Sequence, residues 1–395
     1  MTGDYHGDDS PTETTRRPGL LRRIRHIYAR EGIAGLIGRL RYSFLLKPGM
    51  KPPPRLRAGA VVVVHQGSHD LSSLFRDRFG AAVSGSTGAH PSTIHLGVPQ
   101  GPATASDVVV LMGSGPIPRN VKGAGLVISD DPGRIARLSA ARQQVMAVSL
   151  PLDEPSLRRI DVLTGRRDPG SIDMSDAIRP ALNRRVPRLC LTLPEHPTRA
   201  TGFSDTDQLG MTMVNGLRYH PSWMGAAYSY RQIARALMSA GRTHALIAQD
   251  DMVPTVSFEH RIATAERYFV DSGADMLAGL VTDIDDSFRI RRVVCKDGMN
   301  FVHLNKGVGL VMNLFGPRAL ERIAHWRRHP SGEHGPVTID RYLAASSNFD
   351  VVVPLPFLVG HRKDVNSTMW PFTNGRYSTL LAYSERRLSE MVATL

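Results

Sequence analysis

Cysteine is nearly absent from the chain: 395 residues carry two, Cys190 and Cys295. Two thiols build no disulfide framework. Both stand in apolar runs, "RLCLTL" and "RRVVCK", so each reads as a packing residue in a reducing compartment. Also missing is any run of the roughly 18 or more apolar residues that a membrane span needs. The opening "MTGDYHGDDSPTETT" is acidic and polar and lacks the apolar segment of a secretory signal, so a cytoplasmic protein is expected. No internal repeat points to a solenoid or a propeller. The glycine-containing stretches "VVVVHQGSHD" and "VVLMGSGP" stop short of a complete phosphate-loop motif.

What is present is globular. The 42% apolar and 22% charged content belongs to a folded protein, and the length suits two domains plus an extension. The net charge of +13 is a nucleic-acid signal only until it is located. Twelve Lys/Arg between Arg16 and Arg57 face a single acid, Glu31, while residues 1–15 hold Asp4, Asp8, Asp9 and Glu13 and no base. The basicity therefore belongs to one arm, and no nucleic-acid partner is expected.

Residues 1–17 read as a disordered tail. In residues 18–57, "LLRRIRHIYAREGIAGLIGRLRYSFLL" carries Leu20, Ile24, Ile27, Ile33, Ile37, Leu40 and Phe44 at helical spacing among arginines. Such a basic amphipathic element lies in a lipid headgroup layer, which predicts docking of residues 18–46 on an anionic membrane surface. A helix packed on the body with solvated arginines is the alternative. "KPGMKPPPR" follows as a stiff linker.

From residue 58 to 185 apolar strands alternate with helical stretches: "AVVVVH", "DVVVLMG", "GLVISD" and "VMAVSL". This predicts a small Rossmann-like α/β domain of parallel strands. Within it, "ISDDPGRIARL" runs a strand into Asp130 and Asp131. Pro132 follows, so an aspartate there reads as a helix cap. Paired aspartates after a strand are thus not chemistry by themselves.

A second α/β domain is expected over 186–395, with more antiparallel character toward its end. Its strand "HALIA" ends in Gln249, Asp250 and Asp251, and the next helix is predicted no earlier than Pro254. These acids are too early to cap that helix. Two adjacent carboxylates repel, and at the carboxyl end of such a strand they are placed to share a divalent cation with a diphosphate.

The stretch "LCLTLPEHPTR", followed by "GLRYHPSWMGAAYSYRQIARALMSAGRTHALIAQDDMVP", resembles the GT-A-fold glycosyltransferases, particularly the lipooligosaccharide-biosynthesis group (family 25-like). The likeness lies in residues 188–259, loosens over 260–365, and does not cover 1–187. It implies a GT-A-like nucleotide-sugar domain, a mixed, mainly parallel sheet with flanking helices. By position it implies Asp251 as a ligand of Mn2+ or Mg2+, with Asp250 and Gln249 beside the donor; Gln249 stands where the family usually has an acid. Arg199 would lie near the nucleotide, its fork suited to phosphate, or else be a solvated loop residue.

Further on, the resemblance implies Asp340 in "TIDRYLAA" as the base facing the acceptor, with a first-turn helix acid as the alternative. His361 in "FLVGHRKD" is implied as a further metal ligand, against a structural histidine. Trp223, Trp326 and Trp370 offer a sugar face an apolar platform, or are core tryptophans. Asp283, Asp285 and Asp286 in "LVTDIDDSF" are the rival metal site, or a polar turn. The function implied is metal-assisted transfer of a sugar, a hexosyl group, from a nucleotide-sugar to a hydroxyl of a cell-envelope glycan or lipid-linked acceptor. An aspartate-dependent phosphotransferase or phosphohydrolase and a non-catalytic membrane-docking protein are the alternatives.

Overall fold

The computed structural model describes residues 61–64, 71–79, 93–141, 143–219, 222–327, 338–365 and 375–395. The acidic tail (1–17), the basic arm and linker (18–57) and Trp370 lie outside the described residues.

The first half holds β1 (Val61–Val64), α1 (Ser72–Phe79), β2 (Thr93–Leu96), β3 (Val108–Leu111) and β4 (Leu126–Ser129). It continues with α2 (Pro132–Ala140), β5 (Val145–Ala147) and α3 (Glu154–Leu163). The five strands pair in parallel and in sequence order. Every position of β3 and β4 is buried, because both faces are covered. Val108, Val110, Leu126 and Ile128 pack in one cluster with Phe75, Leu157 and Ile160. Val109, Leu111 and Val127 pack in another with Ile135 and Leu138. Strands buried on both sides have no polar face to alternate with. Asp131 caps α2 as expected, accepting from the Gly133 and Arg134 amides. Asp130 accepts from the Gly113 amide at 2.8 Å.

After the short α4 (Ser175–Ile178), the second half runs β6 (Arg188–Thr192), α5 (Pro197–Ser204), β7 (Thr212–Asn215), α6 (Ser222–Ser239) and β8 (Ala245–Gln249). Next come β9 (Met252–Pro254), α7 (Phe258–Ser272), β10 (Met276–Ala278), β11 (Ile290–Lys296) and β12 (Met299–Leu304). It closes with β13 (Met312–Phe315), α8 (Pro317–His325), α9 (Ile339–Ala344), β14 (Val351–Leu355), β15 (Val359–His361) and α10 (Gly375–Ala393).

Eight of these strands form one mixed sheet in the order β11-β12-β14-β10-β13-β8-β6-β7. β7, β6 and β8 are parallel, and β13 runs antiparallel between β8 and β10. β10 and β14 are parallel, and β12 returns antiparallel to β14 and β11. β9 and β15 make a separate antiparallel pair. The fold is α/β, with a parallel sheet and a mixed sheet flanked by helices.

"PEHPTRATGF" becomes helix from Pro197, with proline at its first position as helix starts favour. β13 begins only at Met312, since Gly309 at φ +120° is outside strand geometry. β14 and β15 are separate: 351–355 stays in the large sheet and 359–361 pairs with β9. One expectation is corrected: Cys190 is buried, but Cys295 is exposed because β11 is an edge strand.

Both sheets lie within residues 48–395, a single compact unit. They are tied at the loops after β6 and β7. The Ala147 backbone amide and Arg159 Nη2 donate to Glu195 Oε1 at 3.1 and 3.0 Å, and Gln144 Nε2 donates to the Arg218 carbonyl at 3.1 Å.

Candidate active site

From β6 the chain passes to β7 on one side, then returns through α6 to place β8 on the other side of β6. The strand order reverses there. In open α/β sheets the crevice beyond the carboxyl ends of the strands at such a reversal is where ligands bind. Asp250 and Asp251 emerge at that point, since Gln249 pairs with Leu191 and Thr192 falls beside Asp250.

α6 sets the position of β8. The Trp-x-Gly element, Trp223-Met224-Gly225, proves to be a packing device: a Cβ on Gly225 would stand 2.3 Å from the Leu217 carbonyl. Ser229 one turn later donates to the Gly225 carbonyl and accepts from the Leu217 amide, both at 2.8 Å. The helix is thereby seated on the loop after β7. Trp223 is half-buried and packs on the core, and Trp326 is buried edge-on to Tyr228. Trp326 is thus closed off as a sugar platform, while Trp223 keeps part of its surface exposed.

The two acids are 4% and 5% exposed, and the positive group between them belongs to the protein. Arg199, itself buried, donates from Nε and Nη2 to Asp250 Oδ1 at 2.8 and 2.5 Å. Its Nη2 also lies 3.0 Å from Asp251 Oδ2. The Thr192 hydroxyl donates to Asp250 Oδ2 at 2.7 Å, so both Asp250 oxygens are engaged. Burial holds the Asp250 carboxyl above its ordinary value even with Arg199 and Thr192 pulling against it, although the three donors aimed at it serve the ionised form. Burial would lower the Arg199 guanidinium, but Asp251 and Asp250 outweigh it and hold it above its ordinary value. Arg199 is therefore turned onto the acids in an internal ion pair, which excludes the solvated loop residue offered as its alternative.

Asp251 has a different setting. The Arg362 amide donates to its carbonyl at 2.8 Å, in register with the β9–β15 pair, and His361 Nδ1 stands 3.4 Å from its Oδ2. The His361 ring stacks on Tyr377, centroids 5.2 Å apart. Nδ1 is buried and makes no hydrogen bond. An imidazole nitrogen left so beside a carboxylate oxygen suits a shared divalent cation, with ligand types proper to Mn2+ or Mg2+. Asp250 does not fit that role. Among the described residues no group of three or more His, Cys, Asp or Glu is arranged to hold a metal.

The other expected residues lie behind this site. Gln249 hydrogen-bonds the Tyr230 hydroxyl, which also reaches the Leu310 carbonyl at 3.1 Å. Asp340 accepts from the Gly309 amide at 3.1 Å, from the Arg341 amide at 2.9 Å, and from the Thr338 hydroxyl. It holds the 307–311 loop and the start of α9, so its geometry is that of the first-turn acid rather than of an open base. Asp283 accepts from Arg341 at 2.6 Å, and Asp285 accepts from the Ser287 amide at 2.9 Å with Lys306 3.6 Å away. That rival segment is a polar turn with its own cations.

Three residues beside the site escaped the sequence reading. Glu195 is fully buried and His196 Nε2 lies 3.3 Å from the Ser139 hydroxyl. Arg218 is buried and bonds the same hydroxyl. Burial, with Arg218 and Arg199 nearby, drives the His196 imidazole down to about 3. The visible signal was the pair of prolines bracketing "EH" directly after a strand. A cleft of about 460 Å³ opens alongside, between Asp205–Gln208 and Val253–Thr255. A larger cavity of about 590 Å³, near Leu355 and Glu385, includes none of these groups.

No family model and no curated protein matches the chain. Among solved structures, one described as "Crystal Structure of A197 from STIV" matches at 11% identity with a TM-score of 0.25, covering 46% of this chain and 96% of that one.

Proposed function

We propose that the chain is a glycosyltransferase with a GT-A-like donor domain, moving a hexosyl group from a nucleotide-sugar to a hydroxyl of a cell-envelope glycan or lipid-linked acceptor. One observation carries the reading: a buried acid pair at the strand-order reversal, with His361 Nδ1 presented beside Asp251. The resemblance over residues 188–259 predicts that placement.

In the transfer, the acceptor oxygen bonds to the anomeric carbon as the bond to the diphosphate breaks, and negative charge gathers on the departing diphosphate. Stabilising that charge is the largest part of such catalysis. A divalent cation held by Asp251 and His361 would supply a Lewis acid for the leaving group. Arg362 adjoins them: its guanidinium, 18% exposed, pairs with Asp364 at 2.6 Å and reaches the Arg199 carbonyl at 3.5 Å, and it is a cation that a phosphate of the leaving group could share. Asp340 acts through the 307–311 loop, whose Val311 carbonyl accepts from the Gln249 amide at 2.8 Å. The cleft beside β9 is the opening assigned to the acceptor. No helix among the described residues is long and apolar enough to cross a membrane. Docking on an anionic membrane surface is assigned to residues 18–46, and sedimentation with anionic liposomes against chain lacking residues 1–57 tests it.

The test of the function is a screen of nucleotide sugars for thermal stabilisation in manganese. At least one donor is expected to raise the midpoint of the parent and not of Asp251→Ala. No response from the parent to any donor, or equal responses from both, would end the proposal.

A further inference from the structure

The folded body keeps many of its bases apart from its acids. Residues 177–194 and 208–249 together carry eight arginines and neither Asp nor Glu. Within them, Arg231, Arg235 and Met238 follow one another at four- and three-residue steps on α6, which sets them on one side of the helix. Arg242 continues that line beyond Gly241, where the chain turns into β8. Its guanidinium donates to the Leu182 carbonyl, so the α6 line meets Arg184 and Arg185 in the stretch before β6. We infer that this surface, Arg231, Arg235, Met238 and Arg242 with Arg184 and Arg185, docks the body on an anionic lipid membrane through the headgroup phosphates. The inference is independent of the transferase reading and of the docking assigned to residues 18–46.

The guanidinium groups are fixed by carbonyl oxygens and not by carboxylates. Arg184 Nη1 donates to the Leu209 carbonyl at 2.9 Å and Arg235 Nε to the Ala324 carbonyl at 3.1 Å. A carbonyl orients a guanidinium without cancelling its charge. The acids next in sequence are already taken, Asp176 by Arg179 and Glu266 by Arg188. Arg231 and Arg235 stand one turn apart and repel: burial first, then Arg235, hold the Arg231 guanidinium below its ordinary value, with Asp168 opposing. Arg231 Nε is buried and has no hydrogen-bond partner among the described residues. A layer of phosphates relieves that repulsion. Met238 is 40% exposed within the row, where an apolar side chain enters the acyl boundary while arginines keep their heads at the phosphates. A lone exposed hydrophobic residue needs no explanation; this one stands among five cations, on a helix without an acid. Duplex DNA also presents phosphates but gives Met238 nothing to enter, so lipid is the better fit. The face lies at the amino ends of β6 and β8, opposite the end that carries Asp250 and Asp251, so docking leaves that crevice uncovered.

The test uses the full-length chain with Cys295→Ser and Met238→Cys, which leaves position 238 as the thiol to label, since Cys190 is buried. It carries a polarity-sensitive fluorophore and is mixed with phosphatidylcholine vesicles with or without phosphatidylglycerol. The emission is expected to shift to the blue with the anionic vesicles and to stay unchanged with phosphatidylcholine alone. The shift is expected to fade as salt is raised, because the attraction reaches only about 8 Å at physiological ionic strength. The parent chain labelled at Cys295, on the edge strand β11, is expected to give no shift. Arg184→Gln with Arg185→Gln is expected to weaken binding by about fivefold for each charge removed.

Vesicle binding without a shift at position 238, or with an equal shift at Cys295, overturns the inference, as does the absence of binding. An equal response to uncharged vesicles overturns it as well. So does duplex DNA that moves the probe as the anionic vesicles do, which would make the face a nucleic-acid surface. Should Met238→Cys fail to fold, sedimentation of unlabelled chain with the anionic vesicles decides: Arg184→Gln with Arg185→Gln binding as tightly as the parent ends the proposal.

Discussion

At the scale of single residues the candidate site turns on one buried charge triangle, Arg199 with Asp250 and Asp251. A buried ion pair adds little net stability over an apolar filling, but removing one partner leaves a charge stranded without water. Arg199→Ala strands two. It is expected to lower unfolding free energy by about 3–5 kcal/mol, read from denaturant melts. Thr192→Val, which removes one neutral donor from Asp250, is expected to cost nearer 1 kcal/mol. Equal losses in the two would mean that the guanidinium does not hold the acids. His196 gives a pH signature. Its folded pKa is about 3, well below the roughly 6.5 of an unfolded histidine. Between those values the unfolded chain binds the proton and the folded chain does not, so stability is full above about 6.5 and drains as pH falls, by up to about 1.4 kcal/mol per pH unit. His196→Asn is expected to flatten that acid limb between pH 6.5 and 5 relative to the parent in urea melts. Asp340 divides its two readings sharply: with its oxygens on the Gly309 and Arg341 amides, Asp340→Ala should lower the melting midpoint along with activity, by about 1–2 kcal/mol. Lost activity at an unchanged midpoint would instead identify a base.

At the scale of elements, α6 shows why motif and chemistry part company. Trp-x-Gly reads from the sequence as a family mark near the donor, yet its glycine is there because a Cβ would meet the Leu217 carbonyl at 2.3 Å and the Tyr219 amide at 2.8 Å. Gly225→Ala is therefore expected to push α6 off the loop after β7, costing about 1–3 kcal/mol as overpacking does. The amide signals of residues 216–219 should move with it; a variant as stable as the parent would show the loop to be pliant. The elements legible beforehand were those with a one-dimensional signal. The apolar runs at β3, β4 and β8 were readable from hydrophobicity, and the Asp131-Pro132 start of α2 from cap chemistry. β2, β7 and β13 are no shorter than β3 and β4, but their sequences, TIHL, TMVN and MNLF, mix polar with apolar residues and so carry no apolar run, and their place is fixed by ladders to other strands. The site divides in the same way. Placing Asp250 and Asp251 after a strand needs only the sequence, and a likeness supplied His361. The inward turn of Arg199 is a side-chain direction, set when α5 packs beside the end of β8, and residue order does not encode it.

At the scale of the whole molecule the five-stranded sheet is more than a neighbour of the site. Its α2, β5 and α3 send Ser139, Gln144, the Ala147 amide and Arg159 to the loops that carry Glu195, His196 and Arg218. The loop with Glu195 leads directly into α5 and so into Arg199. Glu195 is fully buried, and Arg159 is its cation at 3.0 Å. Arg159→Met should remove the ion-pair partner of that carboxylate and leave it only the buried Arg218 nearby, lower stability, and loosen the segment that seats Arg199, although Arg159 belongs to the other sheet. Glu195→Gln removes the stranded charge while keeping an acceptor for the Ala147 amide. The double variant is expected to recover much of the loss, a coupling of about 0.5–3 kcal/mol for groups in direct contact. The same seam requires the sheets to melt together. Fluorescence of the three tryptophans, Trp223, Trp326 and Trp370, all in the second half of the sequence, and far-ultraviolet dichroism, which reports both halves, should trace one coincident transition. Two separated transitions, or single-variant losses that simply add, would show the five-stranded sheet to be an independent domain with no part in holding the acid pair.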